Sequence, residues 1–281
     1  MTIADREGAA STVFAPAKVN LALHVTGRRN DGYHLIDSLV LFADIGDGLT
    51  VQLSETSHLQ VTGPRAAGVP LDGRNLCLKA AAFFGADAAI CLDKHLPAEA
   101  GIGGGSSDAA AVLRALAALT GRAIPAGIAT LGADIPACLH GQALRMRGIG
   151  DRIDPVHDWP PLAALLVNPG VALPTATVFR ALTTAENPGL PTLPAAPDAP
   201  TLIAYLRRAR NDLEPAARAL APEIGAVLAA LAAQPGCDLA RMSGSGATCF
   251  GLFSDAAAAA RAAGRLSAAE PGWWVQPATL T

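Results

Sequence analysis

Lysine is nearly absent: among 21 basic residues only Lys18, Lys79 and Lys94 are lysines. Where arginine is the habitual cation, a retained lysine points to a position that needs a compact ammonium, which a planar guanidinium does not replace. Cysteine is sparse and scattered. Cys77, Cys91, Cys138, Cys237 and Cys249 are odd in number and contain no C-x-x-C pair, which excludes a disulfide framework or zinc ribbon and predicts a reducing cytoplasm. Half of the residues are hydrophobic (51%), but much of this is alanine, and no apolar run approaches the ~20 residues of a membrane helix. The formal net charge of -3 gives no basic surface for nucleic acid or anionic lipid. The start, MTIADREGAA, has neither a basic head nor an apolar stretch, so no secretory leader is expected.

A chain of 281 residues is long enough for two modest domains, and a boundary is expected near residue 150. Apolar residues alternate at Val19, Leu21, Leu23 and Val25, which predicts a half-buried strand over 13–25 with Lys18, Asn20, Ala22 and His24 on its other face. After the turn at Asn30-Asp31-Gly32, residues 39–42 and 49–53 read as two separate strands. A helix over 75–84 and a strand over 89–92 lead into a glycine-rich loop, and residues 109–119 form a helix ending at Gly121. A further helix begins near Asp134, and a strand covers 163–168. NPGLPTLPAAPDAP at 187–200 is too rich in proline for regular structure and reads as an exposed connector. Helices near 201–210 and 222–233, a glycine turn at 243–246, a strand over 247–253 and an alanine-rich helix capped by Ser254 complete the chain.

The loop PAEAGIGGGSSD, residues 97–108, carries the strongest chemical signal. Gly101, Gly103, Gly104 and Gly105 let backbone N–H groups converge on an anion, and the following helix adds the positive end of its dipole. Pro97 opens the loop, and Ser106 and Ser107 add hydroxyl donors. The alternative is a turn with Ser107 or Asp108 as a plain helix cap. No lysine follows a glycine, so a Walker loop is excluded. Ser106 stands where the third glycine of a dinucleotide fingerprint would fall, and no G-x-S-x-G elbow surrounds Ser106 or Ser245. No H-E-x-x-H zinc site is present either. A nucleotide phosphate loop of another type remains.

Five segments together carry a resemblance: APAKVNLALHVTGRRNDGYH at 15–34, the glycine loop at 97–108, LGADIPACLHG at 131–141, RNDLE at 210–214 and SGSGATCF at 243–250. They resemble the GHMP small-molecule kinases, and most closely the members whose acceptor carries a cytidine diphosphate group. The resemblance implies an α+β fold with an N-terminal ATP-binding and catalytic domain, residues 1–150, and a ferredoxin-like C-terminal substrate-binding domain, residues 151–281. It implies Lys18 and Asp134 flanking the reacting hydroxyl, Asn20, Tyr33, His34, Thr175 and Phe179 at the acceptor, and Asn75 and Lys94 near adenine and ribose. Gly244 and Gly246 would form a second turn near the phosphates. ATP is the implied co-substrate, with Mg2+ held mainly by phosphates rather than by a dedicated protein metal site.

Read from the residues alone, Asp134 is first a helix N-cap before Pro136, Tyr33 merely a residue after a turn, and Phe179 merely core. The rivals are a GHMP kinase for another small alcohol, such as mevalonate or homoserine, and a non-catalytic nucleotide sensor. A cytoplasmic monomer or weak homodimer is expected.

Overall fold

The computed structural model describes residues 9–281. The first eight residues, where no secretory leader is expected, lie outside the described residues. The chain divides into two compact units that interleave in sequence. Unit 1 holds Met1–Ala17, Gly46–Ala98 and Gly103–Gly141, and unit 2 holds Lys18–Ile45, Glu99–Ile102 and Gln142–Thr281. Among the described residues no helix is long and apolar enough to cross a membrane.

Two long strands open the chain, β1 (Ala10–Arg28) and β2 (His34–Leu53), joined by a turn in which Arg29 N–H donates to the Tyr33 carbonyl. The two strands expected over 39–42 and 49–53 are therefore one. Gly46-Asp47-Gly48 has the spelling of a turn, yet the strand runs through it. A Cβ on Gly46 would sit 2.1 Å from the Ala15 carbonyl oxygen, so this glycine marks a close approach of backbones rather than a reversal. Asp47 is fully buried.

Unit 1 continues with β3 (His58–Thr62), helix α1 (Leu76–Phe84), β4 (Ala88–Asp93), α2 (Gly104–Thr120) and α3 (Ile135–His140). β4 pairs antiparallel with residues 48–53 of β2 and parallel with β3. Val112, Leu116 and Leu119 of α2 are buried as the sequence predicts, but Ala109, Ala110, Ala111, Leu113 and Ala115 are buried too. Small side chains let neighbours approach this helix from several sides. Between α2 and α3 only a short 3-10 turn, Ile128–Thr130, intervenes.

Unit 2 contains β5 (Leu144–Gly148), β6 (Arg152–Pro155), β7 (Leu162–Asn168), α4 (Thr175–Arg180), α5 (Ala199–Arg208), α6 (Glu214–Leu220), α7 (Glu223–Ala232), β8 (Cys237–Met242), β9 (Cys249–Phe253), α8 (Ala256–Ala269) and β10 (Trp274–Leu280). β7 is central, antiparallel to β10 on one side and to β9 on the other, and β9 pairs with β8. Residues 36–40 of β2 pair with β5, and β5 with β6. β7 is buried along nearly its whole length, in keeping with its continuous apolar run LAALLV.

Three local expectations change. α8 is capped by Asp255, whose carboxylate accepts from Ala258 N–H at 2.7 Å, and not by Ser254; an aspartate in extended backbone reaches the third helical amide directly. α6 has a short polar start that periodicity does not reveal. The proline-rich segment is irregular but anchored: Leu190 N–H donates to Asp37 at 2.8 Å, Tyr205 O–H to the Pro191 carbonyl at 3.0 Å, and Asn187 Nδ2 to the Val25 carbonyl at 3.0 Å.

Candidate functional site

The predicted site residues fall into two groups, one in each unit. In unit 2 the polar face of β1 is as buried as its apolar face: Lys18 is 3% exposed, and Asn20 and His24 are 1% each. The half-buried strand expected from alternation is thus covered on both faces, and the second cover is polar. Lys18 Nζ donates to Asn20 Oδ1 at 3.1 Å; Asn20 Nδ2 donates to Ser38 Oγ at 2.7 Å, and Ser38 Oγ to the Ala22 carbonyl at 2.7 Å. Asn20 therefore has its rotamer fixed from both ends of the amide, which orients the lysine.

The same network reaches both glycine motifs. Asn20 N–H donates to Ser243 Oγ at 3.0 Å, and Ser243 Oγ donates to the Gly101 carbonyl at 3.0 Å. Gly101 has φ +70°, and a Cβ there would lie 2.6 Å from the carbonyl oxygens of Ser243 and Gly246. Only glycine fits both the left-handed backbone and this contact. Thr175 Oγ1 lies 2.8 Å from Ser245 Oγ, so α4 starts against the 243–246 turn. One turn further along α4, the Phe179 ring stacks on His34 with centroids 5.1 Å apart and an interplanar angle of 27°. Tyr33 stands outside this pair, 62% exposed. Burial, reinforced by Arg28, lowers the His34 pKa below 6.5. The ring is then neutral at pH 7, with one donor and one acceptor for a heterocycle edge.

RNDLE, which the sequence flagged without a role, fastens this arrangement. Leu23 and Asn211 form a parallel bridge, and Leu23 N–H donates to the Arg210 carbonyl. Asn211 Nδ2 donates to the carbonyls of Met242 and Gly244, both at 2.8 Å, and Asp212 accepts from Val25 N–H. Arg241, just before the turn, is buried with its guanidinium on the carbonyls of Leu21, Leu206 and Ala209. Burial lowers its pKa to about 10, so it stays charged at neutral pH. The sequence does not single out Ser38 or Arg241, and it gives Asn211 and Ser243 no role within their segments, because a buried polar residue has the same letter as an exposed one.

In unit 1 the helix expected to begin near Ala109 begins at Gly104, and its cap is Gly103 rather than Ser107 or Asp108. Ser106 thus lies in the first turn, where amide N–H groups lack helical partners, while Ser107 N–H already donates to the Gly103 carbonyl at 2.8 Å. Ser107 Oγ is spent on the Pro16 carbonyl at 2.8 Å, while Ser106 and Gly105 are less covered. Lys94 is 4% exposed; its ammonium contacts Asp47 at 2.5 Å and Asp108 at 2.7 Å. Asn75 caps α1 by accepting from Cys77 N–H at 2.9 Å and donates to the Pro70 carbonyl at 2.8 Å. Asp134 occupies the N-cap position of α3 with φ -85° and ψ -14°, but its side chain makes no cap bond. The plain capping role weighed for it is absent. Pro97 is half-buried.

Among solved structures, a homoserine kinase from Cytophaga hutchinsonii overlays with TM-score 0.66 at 20% identity, covering 96% of this chain and 94% of the other, which shows the fold. Residues 75–151 match the GHMP kinases N terminal domain and residues 193–272 the GHMP kinases C terminal domain. A curated 4-diphosphocytidyl-2-C-methyl-D-erythritol kinase from Dinoroseobacter shibae is 59% identical over 95% of this chain and 94% of its own. One from Cereibacter sphaeroides is 54% identical over 95% and 98%. A crystal structure of 4-(cytidine 5'-diphospho)-2C-methyl-D-erythritol kinase matches with TM-score 0.76 at 36% identity, covering 96% and 99%. The chain belongs to the GHMP kinases and, within them, to the 4-diphosphocytidyl-2-C-methyl-D-erythritol kinase family.

Proposed function

We propose that the protein transfers the γ-phosphate of ATP to the 2-hydroxyl of 4-diphosphocytidyl-2-C-methyl-D-erythritol, a step of non-mevalonate isoprenoid synthesis in the cytoplasm. The observation that carries this reading is the stacked His34–Phe179 pair, held in one unit with Lys18, Asn20 and the 243–246 turn. A neutral imidazole against an aromatic ring suits a cytosine, whose edge needs both a donor and an acceptor. Tyr33, exposed beside His34, is free to close over the base, and Thr175 lines the acceptor side.

Phosphoryl transfer asks little covalent chemistry of the protein; it asks for an oriented nucleophile and compensated charge. Asp134 accepts the hydroxyl proton, and Lys18 stabilises charge on the phosphoryl group. The amides of 103–106, with Gly101, Gly244 and Gly246, hold the phosphates. Asn75 and Lys94 shape the adenosine side through the cap and ion pairs described. Magnesium accompanies the nucleotide, held mainly by its phosphates. The protein acts as a monomer or weak homodimer in which residues 1–150 carry the ATP-binding and catalytic groups together with the acceptor residues Asn20, Tyr33 and His34, and residues 151–281 add Thr175 and Phe179 to the acceptor side.

A coupled assay over a panel of alcohols tests the assignment. The cytidine compound is the one efficient acceptor expected, and Asp134→Ala lowers kcat by about 10²-fold or more, the range for a general base. Comparable turnover of mevalonate or homoserine, or an undiminished Asp134→Ala enzyme, would refute it.

A further inference from the structure

Under the first turn of α2 lies a cluster with more acid than base. Lys94 Nζ bridges Asp47 Oδ2 and Asp108 Oδ2, and all three residues are buried, Asp108 being 3% exposed. The two carboxylates are not held alike. Asp47 also accepts from the backbone N–H groups of His95, at 2.6 Å, and Leu96, at 2.8 Å. Asp108 accepts no backbone N–H of this kind; it meets Lys94 through Oδ2, with the Asp47 carboxyl beside it, and its Oδ1 is buried without a hydrogen-bond partner. The lysine cannot drift to relieve this. Its N–H donates to the Thr62 carbonyl at 2.8 Å, its carbonyl accepts from Arg65 N–H at 3.0 Å, and its ammonium lies 3.3 Å from where a Gly104 Cβ would stand.

With both carboxylates ionised, the cluster carries an uncompensated negative charge inside the protein, directly below the amides that face a phosphate. A buried excess charge is costly by itself and repels an anion above it. A proton on the Asp108 carboxyl removes both penalties, leaving one ammonium against one carboxylate. We propose that Asp47, Lys94 and Asp108 form a charge-setting platform for the phosphate loop, in which Asp108 takes a proton from solvent as a polyphosphate binds over α2. Asp108 is here a positioning residue, acting through the loop and not on the substrate.

The surroundings agree. Burial raises the Asp108 pKa to about 7, with Asp47 adding to the rise and Lys94 opposing it. Burial works against the Lys94 charge, but the two carboxylates outweigh it and its pKa is raised. The other titratable group facing Asp108 is Cys77 of α1; burial, then Asp108 itself, pushes its thiol well up, so it stays neutral. Anion binding and proton binding at Asp108 are then linked, and phosphate affinity falls as pH rises through neutrality.

The inference rests on the nucleotide reading above, and the probe is Mg-ADP on the full-length chain. Titration calorimetry at pH 7 in two buffers of different ionisation enthalpy should show fractional proton uptake by the wild type and none by Asp108→Asn. Between pH 6 and pH 8.5 the wild-type Kd should rise by about tenfold for each pK unit of coupling, while Asp108→Asn stays flat. A purely structural Asp108 would move stability without this pH difference. If Asp108→Asn does not fold, the wild-type infrared difference spectrum decides, since a protonated carboxyl band must appear when Mg-ADP is added. No proton uptake by the wild type, equal uptake by the variant, or no such band overturns the platform and leaves the nucleotide site intact. A chain that binds no Mg-ADP overturns both.

Discussion

His24 shows how much a single side chain can coordinate. Its Nδ1 lies 3.0 Å from the Pro188 carbonyl and its Nε2 accepts from Arg210 N–H at 3.1 Å. These partners define one neutral tautomer, with the proton on Nδ1. Burial lowers its pKa below 6.5, with Arg210 adding to the effect against the pull of Pro188 and Asp212. The unfolded chain thus binds the proton more readily than the folded one, and stability falls as pH drops. The contribution is complete above about 6.5, the unfolded value, and is lost as pH falls from there through the folded value. Melting temperature measured between pH 7.5 and 5 should decline, and His24→Gln should flatten the decline. His34, whose pKa is also lowered, keeps the slope from vanishing. An unchanged slope in the variant would discount His24. The sequence placed this histidine on the correct face of β1 beside Lys18 and Asn20, but its partners lie 164 and 186 residues away, beyond the reach of any local pattern.

The same limit separates legible elements from illegible ones. α1, β4, β7 and the turn at 30–32 follow periodicity and turn chemistry closely, because their signals are local. β2 reads in sequence as two strands, and what carries it through Gly-Asp-Gly is the close approach of the Ala15 backbone to Gly46. This predicts that Gly46→Ala destabilises the protein by about 3 kcal/mol or more, at the upper end of overpacking costs, since the nearest clash is with the Ala15 backbone, and the Phe14 ring crowds the same space. Urea unfolding measures it, and a loss under about 1 kcal/mol would mean that the strands shift cheaply. The glycine loop reads as an anion site from composition, yet α2 starts five residues earlier than its apolar periodicity indicates. The first turn, Gly-Gly-Ser-Ser-Asp, has little intrinsic helix propensity, so tertiary contacts such as Ser107 to Pro16 and Lys94 to Asp108 must specify it.

For the molecule as a whole, the division into units matters more than the count of elements. The chain passes between units at 17/18, 45/46, 98/99, 102/103 and 141/142, and β1 and β2 each contribute residues to both. A cut at 150 therefore separates residues 18–45 and 99–102 from the rest of unit 2. Fragments 1–150 and 151–281, expressed separately, should be poorly folded by circular dichroism, and the intact chain should unfold in one cooperative transition. Two independent transitions matching the two fragments would contradict this. Motifs in the sequence identify the family, and they mark the candidate site residues as short fixed segments. They do not reveal that RNDLE runs beside β1, or that a proline-rich stretch is fastened to Asp37.

That last attachment changes where the chain tolerates alteration. NPGLPTLPAAPDAP has the composition that protein engineers choose for splicing in tags, reporters or new termini. Its first five residues, however, hold hydrogen bonds to Val25, His24, Asp37, Arg210 and Tyr205, and Asp37 is itself gripped by both arms of Arg145. A graft at 187–191 would pull on β1 and β2, the strands that carry Lys18 and His34. One placed at 192–196, after the last of these bonds, would leave them undisturbed.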